Sequence, residues 1–161
     1  MMDDIDRIME VMDAAFDPRW GEAWTHRQVS DSLAFPHTHY RLIGPDGEPA
    51  TGRAAGFTLV RAMADEEELL LVAVAPAHRG AGLGRRLLGR VLADARGREA
   101  SRVFLEMRAN NPAERFYRLS GFEPIGRRPA YYHTPGGETI DAITFACDLK
   151  QALPAATGIS R

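Results

Sequence analysis

The sequence predicts a mixed α/β fold built on a central sheet. Three observations carry this. Glu68–Arg90 reads as an apolar strand, a glycine-rich loop and a helix, the core of a β-α-β crossover. Two amphipathic helical segments precede it. Short strands lie on either side, so that the elements run α-α-β-β-β-α-β-α-β-β.

Taken in order, residues 3–16 put Ile5, Ile8, Met9, Met12, Ala15 and Phe16 on one face, the spacing of a first helix. Asp17-Pro18 breaks it. Thr25 caps a second helix over 26–34, stopped near Pro36. His39–Ile43 is a strand, and Gly44-Pro45-Asp46-Gly47 is turn chemistry. Ala54–Ala62 is the next strand, in which Gly56 marks close packing or a bulge. Asp65–Glu68 is an acidic turn leading into the Leu69–Val74 strand, which Pro76 ends. Leu83, Leu87, Leu88, Val91 and Leu92 recur at helical spacing, and this helix ends near Gly97. Val103–Met107 is a short strand. Asn110 or Asn111 caps a helix with Pro112 at its first position, and Gly121 stops it. Phe122–Gly126 opens another strand, Arg127–Gly137 is a loop, and Thr139–Leu149 alternates as a last strand. Residues 1–149 form one domain, and 150–161 a flexible, small and polar tail.

A length of 161 residues, 45% of them apolar and 26% charged, suits one globular domain with a real core. No run is long enough for a membrane span, the N-terminus is acidic rather than a signal peptide, and Cys147 stands alone. These features point to the cytoplasm. The net charge of −2 is unevenly spread: residues 1–75 hold 14 acids against 6 arginines, and residues 76–128 hold 12 arginines against 5 acids. The basic part surrounds the glycine loop and matches a polyanionic ligand, while the acidic part favours a cationic one. The arginines have little aromatic company, so nucleic acid is not the expected partner.

Arg79-Gly80-Ala81-Gly82-Leu83-Gly84, between strand and helix, is an anion site: glycines admit close approach and the first helical turn has free N–H groups. A P-loop would need Gly-Lys-Ser/Thr, but Arg85 and Arg86 follow Gly84. A dinucleotide fingerprint would need a third glycine where Arg85 stands.

The remaining pattern, Arg79-x-x-Gly82-x-Gly84 after Ala73-Val74-Ala75-Pro76, resembles the acetyl-CoA motif of the GNAT superfamily of N-acetyltransferases. The resemblance runs from Ile5 to Leu149. It implies an acyl-CoA N-acyltransferase fold: a mixed sheet whose central strand pair splays apart, with the usual first strand short or absent here. It also implies acetyl-CoA as cosubstrate. The pantetheine arm would lie in the splay against Val72 and Val74, and the diphosphate on Gly80 to Arg85, with Arg79, Ala81, Gly82, Leu83 and Gly84 in the loop.

Asn110 to Tyr117, then Ser120-Gly121-Phe122, looks like the family's Asn-x-x-Ala-x-x-x-Tyr-x-x-x-Gly-Phe segment. Carried over, Asn110 and Ala113 bind the cofactor, and Tyr117 reaches its sulfur as general acid. Glu106 interrupts the apolar run VFLEM, which is costly unless the carboxylate is paired or functional. It is the expected general base, with Glu68 as rival. The segments EMRANNPAERFYRLSGF and RRPAYYHTPGGETIDAITFACDL resemble, more narrowly, the ribosomal-protein-alanine N-acetyltransferases (RimI type). That likeness implies Trp24, Tyr131 and Tyr132 as acceptor-binding residues and a basic protein N-terminus as acceptor.

His37 and His39 lack a third ligand at metal spacing, so no metal is expected. Cys147, without local histidine, reads as core. The sequence leaves open a lysine or small-molecule amine acceptor, a CoA- or nucleotide-binding module without turnover, and the oligomeric state.

Overall fold

A computed structural model describes residues 3–149. The expected tail from 150 lies outside the described residues. The elements are α1 Asp4–Ala15, α2 His26–Leu33, β1 Thr38–Ile43, β2 Gly56–Met63, β3 Glu66–Val74, α3 Leu83–Gly97, β4 Arg102–Arg108, α4 Glu114–Leu119, β5 Glu123–His133 and β6 Thr139–Asp148. This is the order expected from the sequence. Among the described residues no strand precedes α1. No helix among them is long and apolar enough to cross a membrane.

Both first helices start on capping boxes, Asp3 with Asp6 and Thr25 with Gln28, which satisfy donors the helix itself leaves free. Six strands form one sheet in the order β1-β2-β3-β4-β6-β5. Only β3 and β4 are parallel, and they pair only from Glu66–Arg102 to Glu68–Phe104. A bulge explains the early end. Leu59 faces Leu71 while Val60 faces Leu69, which leaves Leu70 as an extra residue in β3. Such an insertion bends and twists a strand. Beyond it β3 turns away from β4, and the sheet opens into the splay that the resemblance implied.

The bulge also divides the core. Val103, Leu105 and Met107 of β4 pack with Leu69, Leu88, Val91 and Phe145 on the face covered by α3 and α4. Leu71 and Ala73, beyond the bulge, pack with Ile8, Met12 and Val29 under α1 and α2. Side chains alternate along a strand. Phe104, Glu106 and Arg108 therefore point to the α1/α2 face. Gly56 sits where a Cβ would lie 2.8 Å from the Ala73 carbonyl oxygen, which accounts for the glycine by close packing.

Two expectations are corrected. The acidic run is not a turn: Ala64 and Asp65 turn, and Glu66–Glu68 belong to β3. Arginines make this possible. Glu66 pairs with Arg102 at 2.9 Å, Glu68 with Arg61 at 2.6 Å, and Glu67 accepts two hydrogen bonds from Arg98 at 2.8 Å. The Arg127–Gly137 segment is a strand as far as His133. Asp141 of β6 holds it, accepting from Arg127 Nε and from the Ala130 N–H, and a register shift between Arg128 and Tyr132 absorbs Pro129.

Glu67 is 1% exposed, and Arg98 is its ion-pair partner at 2.8 Å. Arg98→Ala leaves a buried carboxylate unpaired, and this is expected to lower the unfolding free energy by about 3 kcal/mol. A urea midpoint that falls with an unchanged m-value is the check.

Candidate active site

The splay is the wall of a cleft of about 1200 Å³. Leu69–Val74 line one side and Leu105–Arg108 the other. One end is closed by Arg79, Gly80, Gly82, Leu83, Gly84 and Arg85, where α3 begins. Gly80 (φ +88°) and Gly82 (φ +81°) are left-handed, a conformation that favours glycine. A Cβ on either would meet nothing within 4 Å, so the open space over this loop is available to a ligand. Arg79 supports the loop from behind, donating through Nε to the Val74 carbonyl and through Nη2 to the Ala15 carbonyl, both at 3.1 Å.

Together these features form an anion cradle beside an apolar slot. Unpaired α3 N–H groups suit a phosphate, and the β3 edge that no longer pairs with β4 suits an extended, amide-bearing chain. The residues fit acetyl-CoA. Val72, Val74, Arg79, Gly80, Gly82, Leu83, Gly84, Arg85, Ala113 and Tyr117 all line the cleft; Ala81 and Asn110 do not.

Asn111 stands in the cleft where Asn110 was expected. Its Oδ1 accepts from the Ala113 N–H at 2.9 Å and makes the turn into α4. Asn110 points elsewhere, accepting from Arg108 Nη1 at 2.8 Å. Of the two adjacent asparagines, Asn111 is the one that faces the cleft.

Tyr117 of α4 is fixed by aromatic packing. Its ring lies 5.2 Å from Phe116 and meets Phe122 edge-on at 5.9 Å. Burial, then the charge of Glu22, push its phenol up to about 12. It therefore keeps its proton at any physiological pH.

Glu106 reaches the cleft from the α1/α2 face. Thr144 Oγ1 donates to its Oε2 at 3.2 Å, and Arg128 Nε lies 3.2 Å from the same oxygen. Both contacts fall on Oε2. Glu68, the rival, is engaged by Arg61.

The acceptor-binding residues expected from the sequence divide. Trp24 and Tyr132 line the cleft. Tyr131 does not: it is 46% exposed, stacked edge-on against Tyr132 and under Arg128. Burial, then Glu106 and Glu22, push the Tyr132 phenol up to about 12. Sequence reading passed over Glu22 and Arg108. Glu22 comes from the segment between α1 and α2, Arg108 ends β4, and their carboxylate and guanidinium lie 3.4 Å apart. Nothing local in the sequence links them.

The chain belongs to the acetyltransferase (GNAT) family, whose model matches residues 5–122. It is an acetyl-CoA-dependent N-acetyltransferase. Within the family, it is 37% identical over 125 residues to the N-alpha-acetyltransferase RimI of Mycobacterium tuberculosis, covering 73% of this chain and 72% of that protein. The crystal structure of the ribosomal-protein-S18-alanine N-acetyltransferase of Escherichia coli superposes with a TM-score of 0.75 at 26% identity, covering 91% of this chain and 88% of that one. A Salmonella typhimurium protein described as an acetyltransferase, solved with its cofactor acetyl-CoA, matches with a TM-score of 0.56 at 26% identity, over 63% and 61% of the two chains.

Proposed function

We propose that the protein acetylates the N-terminal α-amine of a protein, a ribosomal protein with a basic N-terminal segment, by direct transfer in a ternary complex. One observation carries this reading. The splay opens on both faces of the sheet, with the glycine loop and Tyr117 on the α3/α4 side and Glu106 on the α1/α2 side. Two substrates can thus meet without a covalent enzyme intermediate.

Bound acetyl-CoA supplies the activated acetyl group. Main-chain N–H groups on the free β3 edge hold its carbonyl oxygen. Glu106 Oε1 takes a proton from the acceptor nitrogen, and Tyr117 Oη donates one to the leaving sulfur. Asn111 and the α3 N-terminus keep the cofactor in place. The reaction belongs in the cytoplasm, where ribosomal proteins are made.

The α-amine is favoured by its acidity. At pH 7 about one α-amine in ten is neutral, against fewer than about one lysine in a thousand, from reference values of about 7.7–8.0 and 10.4. A single carboxylate suits the easier proton. The acidic first half of the chain, with 14 acids against 6 arginines over residues 1–75, favours basic chains, so rates should fall as salt rises.

The test is a pair of peptides of equal charge. One has a free N-terminal alanine and no lysine; the other is N-terminally blocked with an internal lysine. Faster acetylation of the first is expected. Faster acetylation of the second would overturn the α-amine reading.

A further inference from the structure

Resting on the α-amine reading, we propose that Glu22 and Arg108 form a recognition pair for a protein N-terminus: Glu22 accepts from the acceptor's α-ammonium, and Arg108 donates to the carbonyl oxygen of the same residue.

Arg108 is held on two sides. Its guanidinium carbon lies 3.9 Å from the centre of the Trp20 ring, and its Nη1 donates to Asn110 Oδ1 at 2.8 Å. The residue is 7% exposed, and its Nε is buried without a hydrogen bond, although Glu22 Oε2 is only 3.4 Å away. A buried, charged donor left unsatisfied is costly. Nε itself is enclosed beside Glu22, while the residue as a whole lines the cleft in which a substrate must sit. Glu22 is 24% exposed and engages Arg108 only through this long contact. The other carboxylates nearby are already hydrogen-bonded, Asp17 to the Arg19 N–H, Glu68 to Arg61 and Glu106 to Thr144.

The spacing suits an N-terminal residue. Its nitrogen and its carbonyl oxygen are separated by three bonds and lie roughly 3 Å apart. Glu22 and Arg108 lie side by side in the cleft wall, so one N-terminal residue can reach both. A lysine side chain has no carbonyl next to its ammonium and can satisfy only one of the two. The pair thus separates α-amines from lysines by geometry, in addition to acidity.

Position supports the assignment. Glu22 lines the same cleft as Tyr117, the expected general acid, and Tyr132. Gly21 brings its segment against the β5–β6 turn, where a Cβ would lie 3.3 Å from the Pro135 ring, and Trp20 and Trp24 flank Glu22 in the cleft wall. This bounded space favours a small first side chain.

The experiment uses Glu22→Gln and Arg108→Lys in the full chain, with an alanine-initial peptide as substrate and its N-acetylated form as inhibitor. Glu22→Gln should raise the substrate KM about tenfold, the loss expected for one charge-assisted hydrogen bond. The acetylated peptide lacks the ammonium but keeps the carbonyl, so its Ki should not change in Glu22→Gln. It should weaken several-fold in Arg108→Lys. The KM for acetyl-CoA should hold in both variants. An unchanged peptide KM in Glu22→Gln, or equal losses for substrate and acetylated peptide in that variant, would overturn the proposal. If Arg108→Lys does not fold, the Glu22→Gln pattern decides alone. Wild-type protein that modifies only lysine would instead sink the α-amine reading beneath it.

Discussion

Replacing Tyr117 with phenylalanine is expected to lower kcat by about 10²–10⁴-fold, the range for a general acid, with little change in the KM for acetyl-CoA. The substitution removes one oxygen. The ring would keep its contacts with Phe116 and Phe122, so the fold and the cleft wall should persist. What goes is a proton source at the inner end of the splay. The phenol is pushed up to about 12, chiefly by burial, so it stays protonated well above neutrality. The ratio of wild-type to variant rates should therefore be flat between about pH 7 and 9, well below that value. A Phe variant at full turnover, with chemistry shown to limit the rate, would remove Tyr117 from the mechanism.

Glu106→Gln should lower kcat/KM for the acceptor by about 10²-fold near pH 7. Glutamine can still accept from Thr144, so the local structure is kept, but it cannot take a proton at that pH. The sign of the pH dependence follows from the acceptor. As pH rises through the α-amine value of about 7.7–8.0, more acceptor arrives neutral and the base matters less. The defect should shrink above that pH. Glu68→Gln serves as the comparison. Because Glu68 is committed to Arg61 at 2.6 Å, its loss should cost only a few-fold. If Glu68→Gln causes the larger defect, the base is Glu68 acting through water.

Much of the fold was legible because its determinants are local. The helical spacing on α1 and α3, the capping residue Thr25, and the glycines ahead of α3 all act within a few residues. The Leu70 bulge was not legible: an unbroken apolar run carries no period to reveal an extra residue. It decides where the sheet opens. The strand through Tyr131 and Tyr132 was hidden by Pro129 and by the pairing with Asp141, a contact across the hairpin. For the candidate site, the glycine loop, Glu106 and Tyr117 were singled out in the sequence, and the fold places them along one cleft. Asn111 needed the turn into α4. Glu22 and Arg108 needed the tertiary structure, since one lies between the first helices and the other at the end of β4.

The central claim is that this cleft delivers an acetyl group to a chain terminus. Its most direct test offers both amines at once. A single basic peptide with a free N-terminal alanine and an internal lysine is incubated with enzyme and acetyl-CoA at pH 7, and fragment masses locate the added group. The account predicts one acetyl group on the alanine nitrogen before any on the lysine. Acetylation at the lysine first, or no acetylation of either amine, would contradict it.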